Sequence, residues 1–201
     1  MKHRLVFILH AALLPALIAT APALAEKADS EKEIHVESNQ VAVDNVKQIS
    51  TYTGNVVLTQ GTLVMKGTRL VVTTSPEGYD FATLYAPPGG LATMRQKRDG
   101  GPDLWMEGEA SDRVTYDQKT SIATLYSNAK VRRLTGPKTT DESTGAFLSY
   151  NGQTEVVTGA NSESGESKPG GGRVSVVIQP HNHAAPKDTK DSTTEAKDKA
   201  E

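Results

Sequence analysis

The chain has 201 residues, with 22 Lys+Arg against 24 Asp+Glu and a formal net charge of -2, a length that fits one domain or two small ones. That balance argues against sequence-independent nucleic-acid binding, which needs a basic surplus facing the phosphates. With no cysteine, disulfides, thiolate chemistry, cysteine zinc sites and acylation at a lipobox are excluded, and 36% hydrophobic with 5% aromatic residues is lean for a globular enzyme.

Met1-Lys2-His3-Arg4 is a short positive segment, and Leu5 to Ile18 is apolar with a single proline, Pro15. Ala23-Leu24-Ala25 then fits the small-x-small cleavage rule, so residues 1–25 are predicted to be a signal peptide cut before Glu26. The apolar run is short for a bilayer span of ~20 residues. The expected mature chain is therefore exported and soluble, and more acidic once Lys2 and Arg4 are gone. Residues 26–33 are polar and predicted to be a frayed leader.

From Ile34 the pattern changes to short runs of period two, the mark of half-buried strands. Ile34/Val36, Val41/Val43, Val56/Leu58, Leu63/Met65, Leu70/Val72, Ala82/Leu84, Val114/Tyr116 and Val174/Val176/Ile178 are the clearest. Turn chemistry separates them, as in Thr53-Gly54-Asn55, Ser75-Pro76-Glu77-Gly78, Pro87-Pro88-Gly89-Gly90 and Asn151-Gly152. No long stretch after residue 26 holds the helical 3.6 period, so the chain reads as all-β.

The strands also repeat. Ala82-Thr83-Leu84-Tyr85 recurs as Ala123-Thr124-Leu125-Tyr126, and Met65-Lys66-Gly67 as Met106-Glu107-Gly108. A longer echo, at one constant spacing, relates Ser38, Val41, Asp44, Gly54 and Asn55 to Ser111, Val114, Asp117, Ser127 and Asn128. Gly67-x-x-Leu70 returns as Gly145-x-x-Leu148, as though a loop from Gly136 to Ser143 had been lengthened. Stacked repeats bury their apolar face against neighbours and leave the end units with open edges. Residues 160–172 read as a glycine-rich loop before a last strand, Arg173 to Gln179, and the polar residues 180–201 as a disordered tail.

Catalytic chemistry is scarce. His35 alternates with Ile34 and Val36 and is expected to face solvent, while His181 and His183 lie in the tail and make no defined metal site. Glu107, Glu109 and Asp112 near Trp105 are the one carboxylate group resembling a glycosidase pair, which needs two carboxylates at fixed separation beside sugar-binding aromatics. The plainer reading makes them a turn entering a strand, with Trp105 a core or end-cap residue. Arg95, Lys97 and Arg98 with Lys130, Arg132 and Arg133 form two small basic clusters that read as a solvated face. No catalytic residue, metal site or cofactor is expected. A twisted pair of antiparallel sheets can instead hold a hydrophobic groove for acyl chains, since burying hydrocarbon is worth ~0.8 kcal/mol per methylene.

Ile34-His35-Val36-Glu37-Ser38-Asn39-Gln40, then Thr53-Gly54-Asn55-Val56-Val57-Leu58-Thr59-Gln60-Gly61-Thr62, resemble the opening of the LptA/OstA family of periplasmic lipopolysaccharide-transport proteins. Gly108-Glu109-Ala110-Ser111 with Tyr116, Asn128-Ala129 and Arg173-Val174-Ser175-Val176-Val177-Ile178 continue it, so that it covers residues 34–179. The resemblance implies an open, twisted antiparallel β-jellyroll in the periplasm that carries lipopolysaccharide with its lipid A acyl chains inside. It implies bridging of an inner-membrane LptC-like partner and an outer-membrane LptD-like partner, with head-to-tail homo-oligomers formed through the first and last strands.

Lipid-facing positions of the family fall on Ile34, Met94 and Tyr116, and strand alternation adds Val36, Leu58, Leu70, Val72 and Val114 to the inner faces. Ile34, Val36 and Ser38 on the first strand, and Val174, Val176 and Ile178 on the last, are the expected partner edges. An exported β-repeat structural protein and a glycan-acting enzyme are the alternatives. An outer-membrane barrel is disfavoured by one Trp, six Tyr and three Phe, too few for two aromatic girdles.

Overall fold

The computed structural model describes Asp29 and residues 31–180; the predicted signal peptide, and all of the predicted tail but Pro180, lie outside the described residues. The all-β expectation holds. Among the described residues twelve antiparallel strands follow in order: β1 (Ile34–Glu37), β2 (Gln40–Asp44), β3 (Ile49–Gln60), β4 (Leu63–Thr74), β5 (Asp80–Tyr85), β6 (Ala92–Lys97), β7 (Leu104–Ala110), β8 (Arg113–Asp117), β9 (Ile122–Thr135), β10 (Lys138–Asn151), β11 (Val156–Ala160) and β12 (Ser175–Ile178).

Four long strands, β3, β4, β9 and β10, organise the rest because each belongs to two sheets. The first half of β3 pairs with β2 and the second half with β1. The first half of β4 pairs with β6 and the second with β5. In the same way β9 passes from β8 to β7, and β10 from β12 to β11. One sheet therefore runs β2-β3-β4-β5-β8-β9-β10-β11, and the other β1-β3-β4-β6-β7-β9-β10-β12. They meet along a crease and open on the opposite side, the jellyroll arrangement.

The crease has a local cause. At Gly54 and Asn55 two residues of β3 stand opposite Thr68 alone, and both have positive φ, 83° and 48°. At Ser127 (φ 65°) and Asn128 (φ 46°), β9 likewise sets two residues against Ala146 of β10. Such bulges bend a strand and increase its twist. Glycine tolerates the left-handed conformation freely, and Asn more readily than most residues. These pairs are also the landmarks of the longer sequence echo. β1 to β6 and β7 to β12 are two copies of one six-strand unit, with β2 matching β8, β3 matching β9 and β4 matching β10. The Ala-Thr-Leu-Tyr echo has another meaning: it relates β5 to the first half of β9 within one sheet and is no part of this repeat.

Between the sheets lies one core. Leu70, Leu84, Val114, Leu125 and Leu148 form a single row across the first sheet, all fully buried. In the second sheet Leu58, Met65, Met94, Gly108 and Val131 form another. Each such apolar side chain contributes about 1.5–3 kcal/mol on burial. Gly108 lets the rows close, because a Cβ there would stand 2.8 Å from Leu125 Cδ2 and 2.9 Å from Met94 Cγ.

Several expectations need correction. The stretch predicted as one strand from Ile34 to Gln40 divides at Ser38 and Asn39, where the chain steps between sheets; Ser38 Oγ donates to Gln40 O at 2.8 Å, so Ser38 is a corner residue and not an edge residue. The predicted loop from Gly136 to Ser143 is a tight turn followed by the first half of β10, whose Thr, Asp and Glu residues lack the apolar alternation that marks a strand. The last strand starts at Ser175. Val174 precedes it and packs over Gly145 and Gly159. The predicted frayed leader contains Asp29, which is buried and accepts hydrogen bonds from Thr62 N at 2.8 Å, from Gln96 Nε2 at 3.3 Å and from Thr62 Oγ1.

Replacing Gly108 by Ala forces Leu125 and Met94 aside, and overpacking of this kind costs about 1–3 kcal/mol. Urea denaturation of Gly108→Ala should show that loss. Gly172→Ala, with nothing within 4 Å of the added carbon, should not.

Candidate ligand groove

Alternation sends every second side chain into the space between the sheets. On β1, Ile34 and Val36 are half-buried and pack against the core, while His35 and Glu37 are exposed. Along the open side, in the half of the molecule nearer β1 and β2, this leaves a cavity of about 240 Å³. The first sheet contributes Tyr52, Val72, Ala82 and Tyr116, and the second Ile34, Val36 and Leu58. Polar groups, among them Ser50, Gln60, Thr74, Asp80 and Gln118, ring it. Of the predicted inner residues, Ile34, Val36, Leu58, Val72 and Tyr116 line this cavity. Leu70, Met94 and Val114 also point inward but sit in the closed interior, at 0%, 2% and 0% exposure.

The outer face is a lattice of paired charge. Glu107 meets Arg95 at 3.3 Å and Arg132 at 3.7 Å, and Glu109 meets Lys130 at 3.2 Å and Arg132 at 2.9 Å. Both carboxylates lie in the middle of β7, not in a turn, and cations neutralise them. Trp105 is no core residue either: Arg95 stacks over its ring at 4.3 Å and Lys97 lies 5.5 Å from its centroid. Asp112 pairs with Arg113. The carboxylate group that resembled a glycosidase pair is thus spent on ion pairs, and among the described residues no cluster of His, Asp and Glu could hold a metal.

Strand alternation divides the basic clusters that the sequence presented as one solvated face. Arg95, Lys97, Lys130 and Arg132 point outward. Arg98, two positions beyond the inward Gln96, and Arg133, paired in register with the buried Met106, point inward at the open rim of the second sheet. There both reach across to Glu155, in the turn joining β10 to β11 on the first sheet: an Arg98 guanidinium N–H donates to the carboxylate and Arg133 Nη2 to the backbone oxygen. Side-chain exposure is only 14% for Arg98 and 28% for Glu155.

The turn carrying Glu155 occurs three times along this rim. Asp44 accepts from the amides of Val46 and Lys47, Asp117 from Lys119 and Thr120, and Asn151 from Gln153 and Thr154. Each turn ends on a left-handed residue, Gln48, Ser121 or Glu155. The Lys47 amide, against an opposing desolvation and helped by the Lys47 side chain and the Val46 amide, lowers the pKa of the exposed Asp44 carboxyl from its ordinary value. Reading the sequence missed Arg98, Arg133 and Glu155 as a group. The recurring Asp/Asn-led turn was the available signal, because it fixes where Glu155 must sit.

The edges at both ends are double. β1 and β2 end the sheets on one side, and β11 and β12 on the other. Val36 and Val176 close opposite ends of one register row, through Leu58, Met65, Met94, Gly108, Val131 and Ser143. Val176 and Ile178 are 57% and 65% exposed on β12, and Val41 is 60% exposed on β2.

Residues 35–156 match the model of the LptA/(LptD N-terminal domain) LPS transport protein family. The lipopolysaccharide export system protein LptA of Escherichia coli K12 is 34% identical over 118 residues, which are 59% of this chain and 62% of that protein. LptA of Haemophilus influenzae is 31% identical over 118 residues, 59% of this chain and 67% of its own length. The chain thus spans somewhat under two thirds of the Escherichia coli relative. Among solved structures, LptH of Pseudomonas aeruginosa, described as the LptA-homologous periplasmic component of a lipopolysaccharide transport device, superposes with a TM-score of 0.65 at 21% identity, over 76% of this chain and 99% of LptH. That likeness supports the jellyroll. The family match covers most of the folded core, and the chain belongs to the LptA/(LptD N-terminal domain) LPS transport protein family.

Proposed function

We propose that this chain is a periplasmic carrier that holds the acyl chains of lipopolysaccharide between its two sheets and passes the lipid from inner to outer membrane. The observation that carries the reading is the cavity open to solvent between the apolar side chains of Ile34, Val36, Leu58, Val72 and Tyr116, with polar groups around it. Family membership supports it, as do the names of the relatives. One acyl chain of about twelve carbons supplies near 9–10 kcal/mol gross on burial, so no catalytic group is needed. At 240 Å³ the cavity is below the usual ~300–1,000 Å³ of a small-molecule site and admits one chain end. A lipid with several chains requires the sheets to part further. The interior row of Leu70, Met94 and Val114 then becomes the deeper wall of the groove.

The same proposal assigns the open edges to partners. Exposed edge strands invite pairing with another chain. The β1–β2 end would meet an LptC-like protein, and the β11–β12 end another copy or an LptD-like domain. Joined head to tail, the inner rows ending in Val36 and Val176 would form one continuous track. The enzyme reading is set aside, because its carboxylates are ion-paired on the outer face. A ligand-free structural repeat would have no use for an open apolar cavity.

Photo-crosslinkers at Val36 and Tyr116 are expected to capture lipopolysaccharide, and those at His35 and Glu37, one position out of phase, are not. Equal capture from both sets would refute the assignment of the inner face. Proline at Val176 removes a ladder donor from an edge strand. Sedimentation of Val176→Pro should show weaker self-association with the fold kept, and unchanged oligomers would exclude β12 as a docking edge. Glu107→Gln should leave lipopolysaccharide transport intact, and loss of transport in a well-folded variant would revive an enzymatic role.

A further inference from the structure

Arg98 and Arg133 face inward at the rim of the second sheet, and they are not fully satisfied. The Nε–H groups of both are buried without a hydrogen-bond partner among the described residues. A buried donor left unpaired is costly, and native structures seldom keep one without use. The Glu155 carboxylate meets Arg98 through a single Nη2. Arg133 receives no carboxylate from Glu155 at all, only its backbone oxygen. A guanidinium binds oxyanions best side-on, through Nε–H and Nη–H together. On each arginine one arm of that fork is empty.

We propose that Arg98 and Arg133 form an anion subsite at the groove rim, built for a phosphate group on an acylated lipid, and that Glu155 occupies it while the groove is empty. The inference rests on the acyl-carrier reading above and specifies how the polar end of the lipid is held. A tetrahedral phosphate has enough oxygens to engage the side-on faces of both arginines, which the Glu155 carboxylate does not do. Displacing the Glu155 carboxylate also removes the Arg98 tie between the second sheet and the β10–β11 turn, so headgroup binding loosens the closed half of the groove. The position suits this role. Arg98 and Glu155 span the rim between the sheets, at the end away from the open cavity of Ile34, Val36 and Tyr116. Acyl chains lying between the sheets leave a headgroup at that rim.

The test measures affinity of the full chain for bisphosphorylated lipid A and for the same lipid enzymatically dephosphorylated, with inorganic phosphate as a third probe. Wild-type protein should prefer the phosphorylated lipid about tenfold or more, the scale of charge-assisted hydrogen bonds. In Arg98→Gln/Arg133→Gln that ratio should fall towards one. In Glu155→Gln, which keeps both arginines and removes the competing carboxylate, it should rise several-fold. This second variant carries the test if the double variant fails to fold.

Equal affinities of wild-type protein for the two lipids would overturn the anion subsite and leave the acyl groove standing. Failure of both lipids to bind would overturn the groove, and the subsite's assignment to a lipid with it. Inorganic phosphate binding as tightly as the phosphorylated lipid would assign the arginines to a free anion and overturn the headgroup role. A ratio unchanged in the folded double variant would show that phosphate is read elsewhere.

Discussion

Everything in this molecule depends on four strands that bend without breaking. A sheet whose strands ran straight through β3, β4, β9 and β10 would be single and flat, with one face left wet. Left-handed residue pairs at Gly54-Asn55 and Ser127-Asn128, each set against one partner residue, turn the strands so that one backbone serves two sheets. The inner faces of those sheets are then obliged to meet. The core, the crease and the open side follow from that one deformation, and the open side is where the apolar cavity lies.

The groove also explains how charge is distributed. On the outer face Glu107 and Glu109 are balanced by Arg95, Lys130 and Arg132 in a shared lattice. Exposed pairs of this kind add about 0–1 kcal/mol each, so the lattice serves solubility and spacing more than stability. Inside, charge lies along the rim: Asp29 is tied to Thr62 and Gln96, and Arg98, two residues beyond Gln96, reaches Glu155 together with Arg133. The interior itself remains apolar, as a compartment for hydrocarbon requires.

Much of this was legible in the sequence. Period two with abundant Val and Thr gave the strands, and the constant-spacing echo of Gly54-Asn55 in Ser127-Asn128 showed that strands repeat, though not that the unit has six of them. The inner placement of Leu58, Leu70 and Val114 followed from alternation, because a one-residue slip would expose them. What escaped did so for physical reasons. The first half of β10 carries Thr, Asp, Glu and Ser because it lies near an edge and is half-exposed on both faces, so no apolar signal marks it. Adjacent charges hid the rim: Arg132 and Arg133 are neighbours in sequence but face opposite sides of a strand. Asp29 was missed since a polar leader looks the same whether it frays or anchors.

The most direct measurement is native mass spectrometry of the protein purified from a lipopolysaccharide-making host. The account expects a population heavier than the bare chain by the mass of a lipopolysaccharide molecule, released as free lipid on activation. Bare protein alone, unchanged after incubation with lipopolysaccharide, would contradict it.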